Sequence, residues 1–270
     1  MPHPYEVHVY HNLEFARTEE KALLLDLYVP EEPAGPLPVV VRVHGGAWSM
    51  GNKEYPPTER LTARGLAVAS ISYRFSQEAI FPAQIHDCKA AVRWLRAQAA
   101  QYRLDPDRIG AWGASAGGHL VALLGTSGDV AELEGAVGGN LEHSSRVQAV
   151  CDYFGPTDFL QEIGQPCDVD RVTPDCPEAL LLGGLLQERP EAVRLANPIT
   201  YVRPDNPPFL ILHGDCDRIV PLNQSTLLHE ALTAAGVPSA LRVIEGAGHG
   251  FADPAIEEQV GDFFEEQLKS

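Results

Sequence analysis

The 270 residues carry 37 acidic against 20 basic side chains, a formal net charge of −17. That balance excludes the basic surface that nucleic acid or an anionic membrane would demand, and no apolar run nears the ~18–20 residues that span a bilayer. Hydrophobic residues at 44%, with 24 glycines and 22 prolines, describe a globular chain and not a disordered or collagen-like one.

Residues Met1–Glu6 show neither a charged nor an apolar leader region. A cytoplasmic location is expected if the chain is complete, and a secreted one if a leader has been removed. Folds that alternate strands and helices run to about 250 residues as one unit, so we expect a single domain over residues 1–270. Cys88, Cys151, Cys167, Cys176 and Cys216 are too scattered for a disulfide framework. Cys167 and Cys176 flank a short polar loop and would be the pair to join in an oxidising compartment; free thiols are the simpler expectation. No CxxC or HExxH spacing occurs, so no zinc site is signalled.

In chain order, residues 22–29 and 38–43 are the first apolar strand-like runs, separated by the turn-rich stretch 31–37. Residues 66–73 form a third. Ile85, Cys88, Val92 and Leu95 recur at helical spacing within 82–101. A short strand at 108–112 leads into Gly113–Gly117 and a helix of small residues to about 124. Further strands are expected at 147–153, 209–213 and 240–244, with helices at 222–235 and 254–268. Strands alternating with helices predict an α/β fold: a mostly parallel sheet covered on both faces, with ligands bound beyond the carboxyl ends of the strands.

The residues with chemical potential fall just after those strands. Gly113-Ala114-Ser115-Ala116-Gly117 matches G-x-S-x-G between a strand and a helix, which exposes a serine hydroxyl on a tight turn. His44-Gly45-Gly46-Ala47-Trp48 follows the strand 38–43. Its glycines permit backbone N–H groups to aim at a developing oxyanion, so Gly45, Gly46 and Ala47 are candidate donors, with Ala116 supplying another from the helix start. Which of the loop donors dominate is not fixed by the sequence.

A base and an orienting acid should follow the serine in chain order. Of the ten histidines, His249 lies in a glycine-rich loop just beyond the strand 240–244 and is the expected base. Asp215 and Asp217 both lie in the loop after 209–213. Asp217 is the better partner for His249, because the turn after His213-Gly214 must be completed before a side chain can reach across, and Asp215 is expected to bond amides within that turn.

Together these motifs resemble the α/β-hydrolase superfamily, from Leu23 to the final helix. More narrowly the chain is similar to bacterial esterases of the feruloyl/acetylxylan-esterase-like and hormone-sensitive-lipase-like groups, whose pattern also matches Ile71–Phe75 and Phe81-Pro82-Ala83-Gln84. That resemblance implies a structural Arg74–Asp87 pair. The elbow reads G-A-S-A-G and not G-D-S-A-G, and about twenty residues before Ala22 leave no room for a large helical cap; both features favour the feruloyl/acetylxylan-esterase-like group. The implied activity is a serine carboxylesterase for short-acyl or aryl esters, including acetylated or feruloylated sugars, working through an acyl-enzyme with no cofactor or metal. H-G-G-A-W is also similar to the H-G-G-x-W of kynurenine formamidases, which makes an arylformamidase the nearest alternative. A non-catalytic binding module of the same fold is a third reading. The expected partner is a small-molecule ester, with no nucleic acid and no membrane; oligomeric state is open.

Residues 155–197 break the strand–helix rhythm and are expected to lie over the sheet edge and shape the pocket. Their aspartates suit a solvated acidic loop better than a metal site. Trp48, Tyr153 and Phe154 are the candidate substrate-lining aromatics.

Overall fold

The computed structural model describes residues 6–31, 35–54 and 56–269. Met1–Tyr5, on which most of the leader reading rests, and residues 32–34 of the expected turn lie outside them. Eight strands form one sheet: β1 (Val7–Arg17), β2 (Ala22–Pro30), β3 (Leu37–Val43), β4 (Ala67–Ile71), β5 (Leu104–Ala114), β6 (Ala149–Tyr153), β7 (Phe209–Gly214) and β8 (Ser239–Ile244). Their spatial order is β1-β2-β4-β3-β5-β6-β7-β8. The pairs β1–β2 and β2–β4 are antiparallel, and every later pair is parallel. The helices are α1 (Glu59–Thr62), α2 (Ala83–Ala97), α3 (Ala99–Tyr102), α4 (Ala116–Thr126), α5 (Ala131–Glu134), α6 (Pro177–Leu182), α7 (Pro190–Ala196), α8 (Asn223–Ala234) and α9 (Pro254–Lys269).

Strand β3 shows why the chain layers as it does. Its side chains alternate across the sheet: Val39, Val41 and Val43 join one core with Ile85 and Val92 of α2, Leu120 of α4 and Leu228 of α8. Val40 turns to the opposite core, with Leu61 of α1 and Ile256, Val260 and Phe264 of α9. Both faces are therefore apolar and helix-covered, which is what the unbroken P-V-V-V run requires.

Three elements differ from the sequence-based expectation. Strand β1 was not among the expected strands, because His8, Asn12 and Glu14 interrupt its apolar residues. It is an edge strand with a register break between Tyr10 and Leu13, so alternate polar side chains meet solvent at no cost. The helix expected over 82–101 breaks at Gln98 into α2 and α3. Strand β5 begins at Leu104, earlier than its apolar residues suggest, where Leu37 pairs with Leu104 before the register shifts. Residues 155–197 contain α6, α7 and 3-10 turns at Phe159–Glu162 and Leu186–Glu188, and no strand.

Candidate active site

Ser115 sits between the last residue of β5 and the first of α4, at φ 56° and ψ −123°. That left-handed backbone is strained for a residue with a Cβ. It is held from both sides: the Ser115 amide donates to the Tyr153 carbonyl (2.8 Å), and the His119 amide donates to the Ser115 carbonyl (3.0 Å). The elbow closes only because Gly117 lacks a side chain, since a Cβ there would stand 2.2 Å from the Val43 carbonyl oxygen.

The three residues expected to converge from β5, β7 and β8 do meet. His249 Nδ1 lies 2.7 Å from Asp217 Oδ2, and Nε2 lies 2.9 Å from Ser115 Oγ. A carboxylate only accepts, so the ring proton is on Nδ1 and Nε2 is left to accept the serine hydroxyl proton.

Asp217 is braced by more than His249. Its Oδ1 accepts the amides of Ile219 (2.8 Å) and Val220 (3.0 Å). Its Oδ2 also lies 3.3 Å from Nε2 of His213, a fully buried ring whose Nδ1 meets Ser225 Oγ at 2.7 Å. Because Nε2 of His213 faces two acceptors, Asp217 and the Val220 carbonyl (2.9 Å), it carries the proton and donates. Burial alone would raise the Asp217 carboxyl, yet the hydrogen bonds from His213, His249 and the Ile219 amide hold it well below the usual carboxylate range. His213 was passed over as a base in the sequence; its position at the end of β7, four residues before Asp217, was the signal for its actual place. Asp215, expected to bond the amides of its own turn, bonds the amide of another loop instead. Its Oδ1 accepts the Gly246 amide at 2.7 Å and ties the acid loop to the histidine loop.

Gly46 at φ 120° and Ala47 and Trp48 at φ 52° and 54° twist the H-G-G-A-W loop out of ordinary backbone space. The loop's carbonyls are occupied: His44 O accepts from Tyr73 Oη (3.1 Å), Gly45 O from His44 Nδ1 (2.8 Å), and Gly46 O from the Ser49 and Met50 amides (both 3.0 Å). The amides of Gly45, Gly46, Ala47 and Ala116 have no acceptor among the described residues. For Ala116 this follows from its place in the first turn of α4. The positive end of that helix adds to a site that favours negative charge.

Trp48 is not a pocket residue. It is 1% exposed, and its Nε1 donates to Nδ1 of His119 (3.2 Å), whose own Nε2 donates to the Ala196 carbonyl (2.7 Å). Its indole packs edge-on to Phe159. The left-handed backbone at Ala47 and Trp48 turns the side chain inward, where it locks the oxyanion-type loop to α4 and to residues 155–197. Tyr153 and Phe154 do line a cavity, and the Phe154 ring packs 4.5 Å from the His249 imidazole.

Residues 155–197 lie along the acid loop. The Asp168 amide donates to the Arg218 carbonyl (2.6 Å), Arg171 Nη2 donates to the Ile219 carbonyl (2.7 Å), and the Phe81 amide donates to the Leu181 carbonyl (2.9 Å). Within this segment Arg171 stands 2.5 Å from Glu162 Oε2 and 3.1 Å from Glu178 Oε2, all three buried. Cys167 and Cys176 are both free thiols. Among the described residues no group of three His, Cys, Asp or Glu side chains is placed to share a metal. Arg74 and Asp87 form a bidentate pair (2.9 and 2.6 Å).

One buried group near the site escaped the sequence reading. Asp152, at the end of β6, accepts the Gly155 amide on Oδ1 (3.0 Å) and has no partner for Oδ2 among the described residues. Burial pushes its carboxyl up to about 7.

A serine on a strained strand-to-helix turn, a histidine after the last strand and a buried aspartate after the strand before it define the α/β-hydrolase class. Within that class the chain belongs to the BD-FAE family, whose profile matches residues 25–232. It is 34% identical to esterase LipC of Mycobacterium tuberculosis over 245 residues, 86% of this chain and 58% of that protein. The chain thus spans a little over half the length of the curated relatives it matches. Among solved structures it is similar to a truncated form of a carbohydrate esterase from gut microbiota (35% identity, TM-score 0.90, 100% of this chain and 99% of that one). It is also similar to the butyrate-bound thermophilic esterase Est2 of Thermogutta terrifontis (28% identity, TM-score 0.76, 99% and 95%).

Proposed function

We propose that the chain is a serine carboxylesterase for short-acyl or aryl esters, including acylated sugars. Ser115 Oγ attacks the ester carbonyl as Nε2 of His249 takes its proton. Asp217 holds the imidazole and stabilises the imidazolium that forms. The free amides of Ala116 and of the Gly45–Ala47 loop donate hydrogen bonds to the carbonyl oxygen and stabilise the charge that develops on it. His249 then returns the proton to the leaving alcohol, and a water deprotonated by the same nitrogen releases the acid.

The observation that carries this reading is the pair of contacts from His249, 2.9 Å to Ser115 Oγ and 2.7 Å to Asp217 Oδ2, beside four backbone amides with no acceptor among the described residues. The esterase relatives agree with it, and the butyrate-bound relative and the carbohydrate esterase support the short-acyl and sugar-ester choice. Residues 155–197, fastened to the acid loop, shape the entrance. Ser115→Ala should reduce turnover of 4-nitrophenyl acetate by roughly 10⁴-fold or more, to background, with the melting temperature preserved. Turnover retained by that variant would remove Ser115 as the nucleophile.

A further inference from the structure

On the α9 side of the sheet, directly behind the catalytic loops, lies a pocket of about 220 Å³. Arg42, Trp112, Tyr153, Phe154, Phe251 and Glu257 are among its walls. It touches the relay on both sides: Ala114 precedes Ser115, Gly250 follows His249, and both line it. Its walls are largely aromatic, as in many small-molecule sites, and they carry one cationic side chain, with Asp253 and Glu257 at the rim.

That side chain is Arg42. Its register partner across β3 and β5 is Trp112, and its guanidinium lies 4.8 Å over the Trp112 ring. One terminal nitrogen donates to the Val43 carbonyl. Among the described residues Nε is buried without a partner, as is the indole Nε1 of Trp112, a residue only 6% exposed. No carboxylate among the described residues comes within ion-pair distance of Arg42. The two acids on the pocket's rim are engaged elsewhere: Asp253 Oδ1 accepts the Ala255 amide at the start of α9 (2.8 Å), and Glu257 stands 3.5 Å from Arg60 Nε. In a chain with net charge −17, a half-buried arginine left without a counter-ion is anomalous, because an uncompensated charge in apolar surroundings is costly. Tyr153 adds a third donor; burial keeps its hydroxyl protonated well above the ordinary range.

We propose that this pocket binds a carboxylate, held by the Arg42 guanidinium and flanked by the aromatic walls, next to the reacting ester. An arginine fork matches a carboxylate's two oxygens, and a ligand anion supplies the counter-charge that the fold omits. The carboxylate is carried either by the ester itself or by a free organic acid. Only the first of these rests on the esterase reading.

Benzoate and its neutral isostere benzamide serve as probes in the Ser115→Ala background, where no turnover is needed. Calorimetric titration should give benzoate at least about tenfold tighter binding than benzamide. Adding Arg42→Gln should erase that preference, and Arg42→Lys should retain part of it. Equal affinities for the two probes would overturn the proposal, as would a preference that survives Arg42→Gln at an unchanged melting temperature. If Arg42→Gln does not fold, Phe251→Trp, which fills the pocket, should abolish the preference, and its persistence there overturns the proposal equally. With Ser115 intact, kcat/KM for 4-acetoxybenzoate relative to 4-acetoxybenzamide identifies the source. A ratio above one that falls in Arg42→Gln assigns the carboxylate to the ester. A ratio near one beside intact benzoate selectivity assigns it to a free acid. Loss of all ester turnover with benzoate selectivity intact would sink the esterase reading and leave the pocket standing.

Discussion

Asp217 receives four donors, two from its own turn and two from imidazoles. The turn amides fix Oδ1, so Oδ2 stays aimed at His249 while His213 Nε2 steadies it from behind. Asp217→Asn should lower kcat by on the order of 10³–10⁴-fold, because the amide no longer enforces the Nδ1 proton. Asp215→Asn, which alters the bonds to the Gly246 amide and the Cys216 thiol but none to the relay, should change it by no more than about threefold. Steady-state kinetics on 4-nitrophenyl acetate separates the two, and a larger loss in the Asp215 variant would exchange their roles. The depressed carboxyl also fixes a pH window. Stability that Asp217 contributes is complete above the unfolded carboxylate value of about 3.9 and is lost only as pH falls below it, through the folded value. Ser115, His249 and Asp217 were legible because each follows a strand in a short, chemically distinctive turn. Trp48 was misplaced, and the bracing role of His213 went unforeseen, because their surroundings are set by residues far along the chain. Trp48 faces His119 and Phe159, and His213 faces Ser225, which no local pattern announces.

At the scale of elements, the strands were legible where both faces are buried and illegible where one is not. Strand β3 reads as an unbroken apolar run, whereas β1 mixes polar and apolar residues because it closes the sheet edge. The segment 155–197 was legible only as an interruption. Besides its bonds to neighbouring loops, it is held from within by the buried Glu162–Arg171–Glu178 cluster, two carboxylates on one guanidinium. Burial, reinforced by the neighbouring Glu178 charge, pushes the Glu162 carboxyl well up, and the Arg171 guanidinium opposes that shift. Removing the cation leaves two acids buried without a partner. Arg171→Met should therefore destabilise the protein by about 3–5 kcal/mol in urea unfolding and loosen the Arg218–Ile219 stretch it fastens. A cost below about 1 kcal/mol would mean that the cluster is solvated and the segment is held otherwise.

Across the whole molecule, the sheet delivers residues from three strand ends to one edge, and its packing there leaves Asp152 buried beneath the elbow. With a folded value of about 7 against about 3.9 unfolded, the folded state holds a proton that the unfolded chain has lost over this interval. Stability from this group therefore falls as pH rises from about 4 to about 7. Asp152→Asn should flatten the fall by an amount on the order of a few kcal/mol, read as the pH dependence of the urea midpoint. Parallel curves for the two proteins would place the titration elsewhere. The mostly parallel sheet and its two helix layers followed from hydrophobic periodicity, but the order of the strands and the crossing of side chains between layers did not, because many pairings satisfy the same pattern. The convergence of Ser115, His249 and Asp217 into a working nucleophile is tested most directly by a fluorophosphonate probe with intact-mass and peptide analysis. A single adduct on Ser115 is expected in the native chain, forming at least about 10³-fold more slowly in His249→Ala. Absence of labelling, or an adduct on another residue, would contradict it.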